Sequence, residues 1–232
     1  MKRFAAQALL LSLACSSALS QEAQPEPTAW HFKLTPSLYS NRQAPAATDL
    51  NLRGNLGPHA LWLGQYRQAG FGEQLRAGYE YTASPDWGQL VYSLQTAERG
   101  FAGGALTAQI GHAVYGIVGW GRTNLQPYYN LNFDPNDAWM ASAGYRWSSV
   151  QSLGFQVVRD NRQNPDQQHV HAVYRMGMPH GQRLTVDVLF KSGLVEDQFT
   201  RRTGLSVTYD WPQFFTRVAY DPIINFTPQT MW

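Results

Sequence analysis

The chain has 232 residues, of which only 15% are charged, where soluble domains carry about 25%. A formal charge of +2 is too small to mark a nucleic-acid-binding surface. A single cysteine excludes an internal disulfide framework.

Residues 1–20 have the anatomy of a secretory signal. Lys2 and Arg3 form a basic start, residues 4–19 an apolar middle, and Ala18-Leu19-Ser20 a small-x-small cleavage site before Gln21. Lipidation of Cys15 is the competing reading, and Leu13 ahead of Ala14 argues against it. Cleavage after Ser20 removes two of the 18 basic residues and none of the 16 acidic ones, so the exported chain is expected to be neutral and free of thiol chemistry.

Residues 21–29 read as a polar, proline-bearing periplasmic tail. From Trp30 the pattern has a period of two. Trp30, Phe32, Leu34 and Leu38 alternate with His31, Lys33, Thr35 and Ser37. Leu50, Leu52 and Leu56 alternate with Asn51, Arg53 and Asn55, and Gly57-Pro58-His59 turns the chain. Residues 60–67 return with ambiguous faces, because Leu61, Trp62 and Leu63 are all apolar. Leu75, Ala77, Tyr79 and Tyr81 then oppose Arg76, Gly78, Glu80 and Thr82, and Leu90, Tyr92 and Leu94 oppose Ser93 and Gln95.

Residues 100–121, GFAGGALTAQIGHAVYGIVGWG, contain no Asp, Glu, Lys or Arg and are long enough to cross a bilayer once as a helix. Repeated glycine, with Gln109 and His112 at the centre, argues against that helix. With period two, Leu106, Ala108 and Ile110 share one face and Thr107 and Gln109 the other. Gly111-His112 is then a turn and residues 113–120 the return, which makes a transmembrane β-hairpin and a template for the whole chain.

The later strands repeat it. Trp139, Ala141, Ala143, Tyr145 and Trp147 oppose Ser142, Gly144 and Arg146; Leu153, Phe155 and Val157 oppose Gly154 and Gln156. Val170, Ala172 and Tyr174 oppose His169, His171 and Arg175; Leu184, Val186, Val188 and Phe190 oppose Thr185, Asp187 and Lys191. Leu205, Val207, Tyr209 and Trp211 oppose Gly204, Ser206, Thr208 and Asp210. Short turns interleave with longer segments near residues 40–47, 68–73, 97–103, 121–137, 160–167 and 192–198, as barrels with short periplasmic turns and longer outward loops require. That topology places Tyr79, Tyr81, Trp87, Tyr145, Trp147, Tyr209 and Trp211 at the periplasmic rim, as an interfacial aromatic girdle.

Twelve strands end near Trp211, and residues 214–220 look like a thirteenth. A closed single-chain barrel normally has an even number, so residues 30–232 are expected to form an antiparallel up-and-down barrel of 12 strands, or of 14 if the tail pairs. Pro228 sits poorly in a final strand. An NFxPxxxW pattern occurs twice, at Asn132 to Trp139 and Asn225 to Trp232, and reads as a shared turn device.

Together, the signal, the alternating strands and terminal Trp232 resemble bacterial outer-membrane β-barrels, particularly small narrow porins specific for oligosaccharides or acidic solutes. The resemblance spans nearly all of the mature chain but rests on no family-specific motif. It implies an outer-membrane location, bilayer lipid and small hydrophilic solutes as partners, and delivery to the barrel assembly machinery through Trp232. A secreted β-sandwich is the alternative with the same composition.

Charge on the inward face is the main functional lead. Lys33, Arg53, Arg76, Arg146, Arg175, Lys191 and Arg202 lie there, joined by Arg217 if the thirteenth strand is real, against Glu80, Asp187 and Asp210. A basic excess on a narrow wall focuses anionic solutes, and arginine forks suit carboxylates and phosphates. If paired with acids, the same residues would only fill a narrow interior.

His169 and His171 stand two apart on one face beyond the segment 160–166. They suit a catalytic base in an envelope-lipid hydrolase, or metal binding with Asp160 or Asp166. No local serine–histidine signature accompanies them and no orienting carboxylate is visible from spacing, so the plainer reading is two polar lumen residues. The longest loop, 122–137, carries Tyr128, Tyr129, Phe133, Asp134 and Asp137, but its DPND run lacks calcium-loop spacing and reads as a surface loop. Nothing calls for a metal or other cofactor. The expectation is passive, mildly anion-favouring passage of small hydrophilic solutes, with a barrel hydrolase or a plugged structural barrel as alternatives.

Overall fold

The computed structural model describes residues 29–40, 45–70, 72–126, 137–160, 162, 166–212 and 214–222. These residues are all-β. In chain order the strands are β1 (His31–Tyr39), β2 (Ala47–Leu56), β3 (His59–Gln68), β4 (Gly72–Ala83), β5 (Gly88–Ala97), β6 (Phe101–Gly111), β7 (Val114–Thr123), β8 (Ala138–Ser148), β9 (Gln151–Asp160), β10 (Gln168–Gly177), β11 (Arg183–Val195), β12 (Gln198–Asp210) and β13 (Phe215–Tyr220). Each pairs antiparallel with its sequence neighbours in one sheet. No helix among the described residues is long and apolar enough to cross a membrane, which says nothing about strands.

The period-two pattern decides which face is which. Phe32, Leu63, Leu94, Val118, Phe155 and Val218 are exposed on the convex face, while their sequence neighbours point to the concave side. The sheet curls far enough that the Lys33 ammonium of β1 lies 4.1 Å from the centre of the Phe215 ring of β13. This up-and-down arrangement is consistent with a β-barrel.

Residues 100–121 form most of the β6–β7 hairpin rather than a helix, with Leu106 opposite Trp120 and Ala108 opposite Val118. Gly111 at its turn has φ 87°, and a side chain there would lie 2.3 Å from the Val114 carbonyl oxygen, so the turn needs glycine. The ambiguity of Leu61-Trp62-Leu63 also resolves: Trp62 is buried on the concave face and its two neighbours are exposed. Register explains why. Trp62 is paired with Gly78, which has no side chain to block the indole.

Two expectations need correction. Thirteen strands stand among the described residues, so twelve is one too few; residues 223–232, which would supply a fourteenth, lie outside them, as do the signal, most of the tail, Trp232 and most of both NFxPxxxW segments. The loop expected at 192–198 is a two-residue turn, because β11 runs to Val195 and β12 starts at Gln198. Glu196 and Asp197 have φ of 49° and 65°, the left-handed pair of a tight hairpin turn. The segments expected near 68–73 and 97–103 shrink likewise to three residues each between strands. The strand ends joined by 40–46, 124–137 and 161–167 are called the loop end below, and the opposite ends the turn end. Rings do collect at the turn end. Tyr145 stacks on Trp147 and Trp147 on Tyr174, both at 6.0 Å, and Trp211 packs between Tyr209 and Phe214 at 4.4 and 4.6 Å.

Candidate functional site: the charged concave face

Every inward residue expected from the pattern has concave parity, and the structure adds partners that the pattern did not supply. At the loop end Arg76 binds Asp49 across β3, and both side chains are buried, at 2% and 0% exposure. Gly64 makes this reach physically available: it is Arg76's register partner on β3, and a Cβ there would sit 2.8 Å from a guanidinium nitrogen. Lys191 donates to Asp221 at 2.8 Å, again with both side chains out of solvent. Tyr66, Gln74 and Phe101 fill the same end, all buried. Closely packed pairs of this kind are costly to desolvate and costlier to break, because one partner alone would be a buried charge.

Toward the turn end the pairs are wetter. Arg53 forks onto Glu80, one N–H donating at 3.0 Å, with side chains 18% and 15% exposed. Arg183 meets Asp210 at 3.1 Å with exposures of 39% and 22%. Arg146 donates to Gln109 at 2.9 Å and to the His112 carbonyl at 3.1 Å, and its guanidinium lies 4.2 Å over the Tyr115 ring. Tyr115 itself lies flat across Gly144, where a Cβ would come 2.3 Å from its hydroxyl. Lys33 completes this end over Phe215, and Arg175 is half-buried there. Arg202 is the outlier. It is exposed at the loop end and donates to the Arg201 carbonyl at 2.8 Å.

Midway, the His171 Nδ1 lies 3.0 Å from both oxygens of Asp187. That carboxylate was not assignable from spacing, since the two residues are 16 apart on adjacent strands. His169 and His171 face each other at 6.2 Å between ring centres, and both are buried. The His171 Nε2 is buried with no hydrogen-bond partner among the described residues. An oriented imidazole with a bare second nitrogen has the geometry of a base and its orienting acid. It faces the concave interior, however, out of reach of a lipid on the convex wall. No group of three or more metal-binding side chains gathers among the described residues. Arg217 donates to Ser206 at 2.8 Å in the same layer.

Pattern reasoning missed Asp49, Asp221 and Arg183. Each sits at or just beyond the edge of an obvious apolar alternation, where period two gives no warning. Asp137, weighed as a calcium ligand, is committed elsewhere: Thr123 donates to it at 2.6 Å and Arg162 approaches at 3.0 Å. The rest of the calcium candidate, residues 134 and 136, and the loop tyrosines 128 and 129 lie outside the described residues. No protein-family model, curated protein or solved structure matches the chain.

Proposed function

We propose that the protein is an outer-membrane β-barrel giving passive, anion-favouring passage to small hydrophilic solutes. The observation that carries this is the contrast between its two walls. The convex strand positions are apolar through their middle and meet aromatic rings at the turn end, as a lipid-facing band with an interfacial girdle requires. The concave wall is polar and rich in guanidinium. The turn end is then periplasmic, the strands cross with a length of about ten residues, and terminal Trp232 is the signal for the assembly machinery.

In this mechanism the turn-end half is an electropositive vestibule. Lys33, Arg53, Arg146, Arg175 and Arg183 face two acids, Glu80 and Asp210, so an anion gains Coulomb energy on entering. The paired belt of Asp49–Arg76, His171–Asp187 and Lys191–Asp221 forms the narrow part and limits flux. A hydrolase reading is disfavoured by the burial of both histidines on the concave side. Refolded protein in a planar bilayer under a salt gradient tests the proposal. Conductance steps with an anion-favouring reversal potential are expected, and His169→Ala with His171→Ala should leave them intact. A folded but electrically silent protein would sink the channel and leave the belt as wall packing.

A further inference from the structure

The convex wall keeps its ionised side chains at one end. Among the described strand residues those facing outward are Arg67, Glu73, Arg122, Arg159 and Arg201, all near the loop end. Arg67 is paired with Glu73 at 3.1 Å. Around β7, β8 and β9 cations outnumber carboxylates: Arg122 and Arg162 meet at Asp137, Arg159 stands beside them on β9, and Asp160 is the other acid there.

Asp137 acts as an anchor. Its side chain is wholly out of solvent, Arg162 lies 3.0 Å from it and Arg122 3.6 Å. Arg162 is further held by donating to the Thr123 carbonyl at 2.5 Å, and its own N–H donates to Asp160 at 2.9 Å. The anchored guanidiniums still expose 35% and 38% of their side chains. Directly toward the middle of the wall, Trp120 is paired in register with Trp139, and Trp139 with Arg159. Both indoles are exposed, and the Arg122 guanidinium lies 5.4 Å from the Trp120 ring. Apolar Val118, Ala141 and Val157 continue the strip.

Arg122 and Arg162 beyond two indoles, Arg159 level with those indoles, and an apolar strip below match an amphiphile with a polyanionic head. Neighbouring strands are about 4.8 Å apart, so cations on β7 and β9 span roughly 10 Å, wider than one phosphate group. We propose that this patch binds the phosphates of a phosphorylated glycolipid of the outer leaflet, whose chains lie along Trp120 and Trp139. The site rests on the membrane reading above, which puts the loop end outside.

The test uses the full chain in nanodiscs of phosphatidylcholine, titrated with bis-phosphorylated lipid A, with dephosphorylated lipid A and with phosphatidylglycerol, retention being read by native mass spectrometry. Bis-phosphorylated lipid A should bind at least about tenfold more tightly than the other two, since charge-assisted hydrogen bonds are lost without the phosphates. Arg159→Gln should lower that affinity several-fold, the triple change of Arg122, Arg159 and Arg162 to Gln should remove the preference, and Arg67→Gln should leave it unchanged. If the triple variant does not fold, Arg159→Gln decides, because it leaves the Asp137 anchor in place. Lipid A binding indifferent to Arg159→Gln, or phosphatidylglycerol bound equally well, would overturn the site. A chain that stays soluble without detergent and does not enter bilayers would overturn the membrane reading itself, and the site with it.

Discussion

At the loop end Arg76–Asp49 and Lys191–Asp221 are sealed from solvent, whereas at the turn end Arg183–Asp210 and Arg53–Glu80 keep contact with it. Both halves of the concave face use the same residue types on the same strand parity. The difference lies in what surrounds them. Gly64 opens a gap that lets Arg76 lie against the wall, and Tyr66, Gln74 and Phe101 fill that end, while Arg183 stands at the first residue of its strand with its side chain 39% exposed. A guanidinium–carboxylate pair is thus a structural tie in one half and a tunable surface charge in the other.

Breaking the sealed half should give the largest effect. Lys191→Leu leaves Asp221 as a buried charge and should cost about 3–5 kcal/mol, read as a lower urea midpoint in detergent micelles. Lys191→Leu with Asp221→Leu should recover most of it, and a double variant as unstable as the single one would show that the carboxylate is not the cause. Next comes wall packing. Gly78→Ala places a methyl 2.2 Å from the Trp62 ring and should destabilise by roughly 1–3 kcal/mol, with the intrinsic fluorescence of the shifted indole changing in parallel.

The turn-end pair should respond weakly. Arg183→Gln is expected to cost under about 1 kcal/mol, since the guanidinium is more than a third exposed and screened by water. If the vestibule selects anions, Lys33→Glu with Arg183→Glu should move the reversal potential toward cations at nearly unchanged stability. A loss of stability as large as that of Lys191→Leu would erase the distinction between the halves. The smallest effect belongs to the convex pair Arg67–Glu73, whose side chains are 56% and 59% exposed. A double-mutant cycle there should return about 0–0.5 kcal/mol and vanish in high salt.

Much of this architecture was legible because strand side chains alternate strictly. One apolar residue in every two assigned the convex face from Phe32 to Val207, and the same rule put Arg53, Glu80, His171 and Lys191 inside. Local chemistry also marked the Gly111 turn. The pattern misjudged length at 192–198, where Glu196 and Asp197 close a two-residue turn, because a break in the alternation does not fix how far each strand runs. It was silent where three apolar residues run together, at Leu61-Trp62-Leu63.

The sequence by itself determined the all-β class, the polarity of the two walls and most of the residues that share the interior, because each of these follows from a period of two along one strand. Only the tertiary structure decided the partners. Arg53 and Glu80 are 27 residues apart and Lys191 and Asp221 are 30, so their meeting depends on register across neighbouring strands, as that of Arg76 and Asp49 depends also on the room left by Gly64. Whether an interior charge is sealed or wet is likewise set by what lies across the curled sheet, where side chains from distant strands converge and no local pattern reaches.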